Sequence, residues 1–132
     1  MPFRYRVENR TRPLARPLWV RVCRQGLCRL LGLMFRRSLG EEEGLLFVWP
    51  RSGRWSTAIH MAFMFFPLAL IWLDERGVVV DRRLGRPWRT IAVPRQPARY
   101  VLELHASRLE DFQMGDWVRF LDDEDPWQER GA

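Results

Sequence analysis

The chain has 132 residues, 47% hydrophobic and 29% charged, which fits one folded domain and excludes a disordered tail. Its 22 basic residues are all arginine and face 16 acids, a net charge of +6, and ten of those arginines lie in the first 40 residues beside one acid. Two cysteines exclude a disulfide framework, and the absence of lysine and of a Gly-rich phosphate loop excludes a P-loop.

Phe3, Tyr5 and Val7 alternate with Arg4, Arg6 and Glu8, the period of a half-buried strand. Residues 1–17 therefore read as a basic arm that adds an edge strand to the main domain. Leu18, Val20 and Val22 alternate as a second strand. Leu27, Leu30, Leu31 and Met34 follow one helical stripe, and Gly40 lies just past it. Cys23 and Cys28 have the spacing of neither a redox pair nor a zinc half-site, and buried reduced thiols are expected. Gly44 to Trp49 reads as a strand stopped by Pro50. The apolar run from Ala58 to Leu73 is shorter than the roughly 20 residues of a spanning helix. Pro67 interrupts it, so two short buried strands are expected. Asp74 to Gly77 reads as a hairpin turn and Val78 to Asp81 as the returning strand. Residues 82–99 are rich in Arg and Pro, with one alternating pair, Ile91 and Val93. Tyr100 to Leu104 is a strand, Ser107 to Phe112 a helical turn, and Gly115-Asp116 a turn before a last strand containing Val118 and Phe120. Residues 122–132 form an acidic tail. Short strands at this spacing predict a mainly β chain over 18–121, a compact antiparallel β-sandwich or barrel-like domain with one short helix. No apolar stretch follows the early arginines, so no secretory signal is expected, and a cytoplasmic setting is.

Several motifs in order resemble the domain-of-unknown-function family number 192. Gly32-Leu33-Met34-Phe35-Arg36 is similar to its G-L-M-x-R, and Gly44-Leu45-Leu46-Phe47-Val48 to its G-M-L-F-V strand. Ile59, His60, Met64, Pro67, Leu68, Leu73 and Asp74 match one branch's I-H-x-x-x-M-x-x-P-I-D-x-x-F-L-D. Pro87-Trp88, Leu102-Glu103-Leu104 with Ala106, and Gly115-Asp116 complete the series. The resemblance implies a compact β-sandwich-like fold with one short helix, and no established activity. Two positions depart from the pattern. Ala69 stands where an acid usually follows Pro-Ile, and Ser107 where glycine is usual. Any role of that carboxylate in relatives is absent here.

The candidate ligand-binding residues are Arg36, His60, Met64 and Glu103. Glu103 alternates with Leu102 and Leu104, so it points outward on a one-sided sheet; facing a cleft, it would need Arg36 or Arg99 as a partner. Trp55, Met61, Phe63, Met64 and Trp88 could line a pocket, although such stripes are more often core. The expected function is a non-catalytic module for a small polar or anionic ligand, with no metal and no cofactor. One alternative is a protein or nucleic-acid interaction module using the basic arm, although no nucleic-acid motif accompanies the charge and neither nucleic acid nor membrane is an expected partner. The other is a hydrolase-type enzyme using His60, which would need a carboxylate partner or Ser56 within hydrogen-bond reach.

Overall fold

Leu68–Leu73 is a strand with every residue buried, and the other elements are arranged around it. The structure is a computed structural model and describes residues 4–26, 28, 32–34 and 36–122. Along the chain come β1 (Arg4–Asn9), β2 (Trp19–Cys23), β3 (Glu43–Gly53), β4 (Ile59–His60), β5 (Leu68–Leu73) and β6 (Val79–Gly85). After them come β7 (Ile91–Ala92), β8 (Ala98–His105), a 3₁₀ helix (Ala106–Asp111) and β9 (Val118–Asp122). Seven strands form one sheet in the order β6-β5-β8-β3-β2-β1-β9, and β4 pairs with β7 in a small second sheet. The fold is mainly β, as the alternation predicts.

The large sheet is mixed. β2 and β3 run parallel, and the remaining pairs are antiparallel. A parallel pair needs a long crossover, and residues 24–42 supply it. The sheet curls until its outer strands touch. Val78, next to β6, bridges Trp117, next to β9. Val79 N–H donates to the Asp116 carbonyl at 2.9 Å, and Val118 N–H to the Gly77 carbonyl at 2.8 Å. Gly77 makes this closure possible. Its φ is +86°, and a methyl there would sit 2.5 Å from the Val118 carbonyl oxygen. The result is a curled half-barrel.

Strand alternation divides the buried residues between two faces. Leu46, Ala69, Ile71, Leu102 and Leu104 join Val7, Phe112 and Val118 on the enclosed face. Phe47, Leu68, Leu70, Trp72 and Val101 lie on the other face, under the crossover residues Leu33 and Leu39 and the loop residues Met61 and Met64. β5, β8 and β3 are therefore covered on both sides. Among the described residues no helix is long and apolar enough to cross a membrane.

Several expectations are corrected. β1 is not an added edge strand. It pairs with β2 on one side and β9 on the other, and Val7 is core. Pro50 does not stop β3, because the pairing with β8 shifts register between Val48 and Gly53, and a missing N–H is tolerated at such an irregularity. The apolar run does give two strands, but only β5 is fully buried; in β4, His60 is exposed. Cys23 and Cys28 are not reduced thiols. A disulfide joins them with Cα atoms 5.7 Å apart, because the chain enters a helical turn as soon as it leaves β2. Gly26 and Cys28 are helical. Phe3, the stripe residues Leu27, Leu30 and Leu31, and residues 123–132 of the acidic tail lie outside the described residues.

Buried polar groups fix the ends of the curl. Arg108 in the 3₁₀ helix is fully buried and donates to the carbonyls of Arg16, Pro17 and Glu41, and to Asp111 Oδ2. Asp116 accepts from Asn9 Nδ2, Arg12 Nε and the Gln113 N–H. Burial works to raise its pKa, but these hydrogen bonds outweigh that and hold the carboxyl below its usual range.

Candidate functional site

Glu103 lies in the middle of β8, with Leu45 of β3 and Leu70 of β5 as its cross-strand neighbours. The expectation of an outward Glu103 is corrected. Its face carries the second core, and the side chain is only 6% exposed. Among the described residues, no Arg partner replaces the lost water. Arg99 donates its Nε to the Trp49 carbonyl at 2.9 Å. Among the described residues, no hydrogen bond or ion pair to the Glu103 carboxyl is formed. Burial alone pushes its pKa up to about 8. Desolvation penalises the charged form.

This carboxyl faces a pocket of about 330 Å³. β8 contributes Glu103, β3 contributes Trp49, and β4 contributes Ile59 and His60. Met61 and Met64 follow from the turn after β4, and Ser56 from the loop before it. The crossover contributes Gly32, Leu33 and Met34. Gly32 has a φ of +50° and a methyl there would lie 3.1 Å from Phe47 and 3.5 Å from Glu103 Oε1. Glycine thus lets the crossover backbone approach the carboxyl closely. His60 stands at the rim, where its Nδ1 accepts the Ala62 N–H at 3.3 Å.

Of the four residues singled out in the sequence, His60, Met64 and Glu103 line this one pocket. Arg36 does not. It is half-buried, and its backbone N–H donates to the Leu33 carbonyl at 3.2 Å. Trp49, Met34 and Gly32 were not among the candidates. The G-L-M-x-R stretch carries the last two, so a motif resemblance was the available signal for them. Trp55, Phe63 and Trp88 do not line the pocket. Phe63 and Trp88 are exposed and pack edge-on, ring centroids 4.9 Å apart. Both have positive φ, 61° and 65°. Asp74 serves its turn, with Oδ1 accepting the N–H groups of Arg76 and Val78. Ala69 faces the enclosed core, on the opposite side of β5 from the pocket.

A second groove of about 360 Å³ opens beside the closure, lined by Tyr5, Arg24, Arg99, Tyr100, Trp117 and Phe120 among others. It is basic and aromatic, and it holds no buried carboxyl. Arg99 stacks over Tyr100 at 5.5 Å, and Arg119 over Trp117 at 5.8 Å. Among the described residues no group of three or more His, Cys, Asp and Glu is placed to hold a metal ion.

The fold has known counterparts. The profile of the DUF192 family (Uncharacterized ACR, COG1430) matches residues 7–120. A UPF0127 protein of Pyrococcus horikoshii is 34% identical over 117 residues, covering 87% of this chain and 98% of its own. A UPF0127 protein of Thermococcus gammatolerans is 38% identical over 92 residues, 68% of this chain, and the match spans 58% of that relative's length. Among solved structures, a protein of Sinorhizobium meliloti described as a candidate transcription regulator has a TM-score of 0.78 at 23% identity, covering 91% of this chain and 94% of its own. A protein of unknown function from Novosphingobium aromaticivorans has a TM-score of 0.69 at 25% identity, covering 88% and 83%. With nearly the whole chain matched by the family profile, the chain belongs to the DUF192 (UPF0127) family.

Proposed function

We propose that this protein is a non-catalytic binding module for a small ligand, seated in the pocket over Glu103. The observation that carries the reading is a buried carboxyl, without a partner among the described residues, on a pocket wall. A polar group left without a partner costs free energy that a ligand can return. Much of the rest of the wall is apolar, with Trp49, Leu33, Ile59, Met61 and Met64, and Ser56 and His60 add polar groups. Apolar lining with a few polar groups is how small-molecule sites are built. A volume of about 330 Å³ suits a small metabolite.

The two rival readings lack such support. For a His60 hydrolase, the imidazole Nδ1 is engaged by the Ala62 N–H, and Asp74 is engaged in its own turn. For an arm that binds nucleic acid, three of the five arm arginines are already paired with acids of this chain. Arg12 pairs with Asp116, Arg16 with Glu41 and Arg10 with Glu8. The description of the S. meliloti neighbour as a candidate regulator concerns that protein, and the likeness to it is one of fold.

The test is a screen of neutral, cationic and anionic fragments against ¹⁵N-labelled protein. Binders should shift the amides of Ile59, Met61 and Met64. A screen in which those amides stay still while Tyr100 and Phe120 respond would move the site to the second groove and overturn this reading.

A further inference from the structure

Resting on the pocket reading above, we infer that the ligand is a small organic cation, a primary ammonium carried on a short apolar chain. Charge selects this class. Among the described residues lining the pocket, the ionisable side chains are Glu103 at the wall and His60 at the rim. With an anion bound, the carboxyl would stay protonated and offer one hydrogen bond but no counter-charge, so the expectation of an anionic ligand is not retained for this site. A neutral ligand would meet the protonated carboxyl and gain a neutral hydrogen bond, the weaker kind. A cation draws the carboxyl into its ionised form and pairs with it through a charge-assisted hydrogen bond, the stronger kind.

Shape agrees with charge. Glu103 has Leu45 and Leu70 beside it in the sheet, and Gly32 above it in the crossover, none of which can ionise. An ammonium group against the carboxyl would place its chain along Met34, Met61 and Met64. Thioether side chains adapt to varied apolar shapes. Trp49 adds an aromatic wall of the kind that attracts cations. At the rim, His60 Nδ1 accepts the Ala62 N–H, so the proton of its neutral ring is assigned to Nε2.

Binding is also a proton event. With its pKa raised to about 8, Glu103 is mostly protonated at neutral pH in the empty protein. The cation pairs with the carboxylate, and the carboxyl proton leaves for the buffer. No bond to carbon is made or broken.

The experiment is an NMR titration with n-butylammonium, butan-1-ol and butyrate, joined to calorimetry in two buffers of different ionisation enthalpy. n-Butylammonium should shift the amides of Ile59, Met61, Met64 and Glu103 saturably, and bind about tenfold or more tighter than butan-1-ol. Butyrate should leave them unmoved. At about pH 7 the release should approach one proton per n-butylammonium bound, and it should fall as the pH passes the carboxyl's own pKa. Glu103→Gln should abolish the proton release and the cation preference while keeping the butan-1-ol shifts. Equal binding of butan-1-ol and n-butylammonium in the wild-type protein overturns the cation inference and leaves the pocket reading standing. Pocket amides unmoved by all three probes overturn both.

Discussion

At the scale of the residue, Glu103 carries an opposition between fold and site. A carboxyl surrounded by Leu45, Leu70 and Gly32 is a poor choice for stability, since leucine would fit those neighbours better. The sign of its effect on stability follows from its raised pKa. Between about pH 4.5, the ordinary value, and about pH 8, the folded chain keeps a proton that the unfolded chain releases. Stability from this group is therefore fully present below the ordinary value and is lost as the pH rises through that window. The slope reaches about 1.4 kcal/mol per pH unit at most. Urea unfolding of the wild type across the window should show stability falling relative to Glu103→Gln. Parallel curves for the two proteins would mean that the carboxyl is solvated or partnered after all.

At the scale of the element, a buried guanidinium fastens the 3₁₀ helix. Ala106–Asp111 is too short to hold itself by its own hydrogen bonds. Arg108 takes up three carbonyls from two separate segments, at 16–17 and 41, and its charge is balanced by Asp111 at 2.6 Å. Removing it leaves those carbonyls without their donor and the half-buried Asp111 carboxylate without its counter-charge. Arg108→Ala should cost about 2–4 kcal/mol in chemical unfolding, from several hydrogen bonds of a charged group lost at once. A loss under about 1 kcal/mol would show that water replaces the guanidinium. Nothing in the sequence marks this arginine among twenty-two, because its partners are backbone atoms distant along the chain. The strands were legible for the opposite reason. The alternation of Tyr5 with Val7, of Leu18 with Val20 and of Leu102 with Leu104 is local, and β1, β2 and β8 follow it. Local alternation fixes which residues share a face, and it leaves open whether that face is covered. Glu103 was placed opposite Leu102 correctly, yet outward, because the crossover and the small sheet that bury it are tertiary features. The same limit hid the disulfide, which depends on the turn taken after Cys23. It also hid the pocket's second half, since Trp49 and Met34 read as ordinary strand and helix residues.

At the scale of the whole molecule, the first strand closes the architecture. β9 has β1 as its strand partner, and its start meets the β6 side of the sheet through the Val118 N–H to Gly77 hydrogen bond and the adjoining Val78–Trp117 bridge. Val7 and Val118 enter the enclosed core together, and Asn9 holds Asp116 at the closure with a 2.8 Å hydrogen bond. Deleting residues 2–10 would expose the edge of β2, release β9 and open the enclosed face to water. The curl would then lose two of its seven strands, and with them the means by which Gly77 and Val118 meet. The shortened chain should lack a cooperative unfolding transition and bind dyes that report exposed apolar surface. Charge alone should not have this effect. Arg4 is exposed and lies 4.8 Å from the centre of the Trp19 ring, so Arg4→Gln should cost about 1 kcal/mol or less. A deletion variant that unfolds cooperatively within about 1 kcal/mol of the full chain would make β1 a dispensable arm and return the basic N-terminal segment to a role in binding.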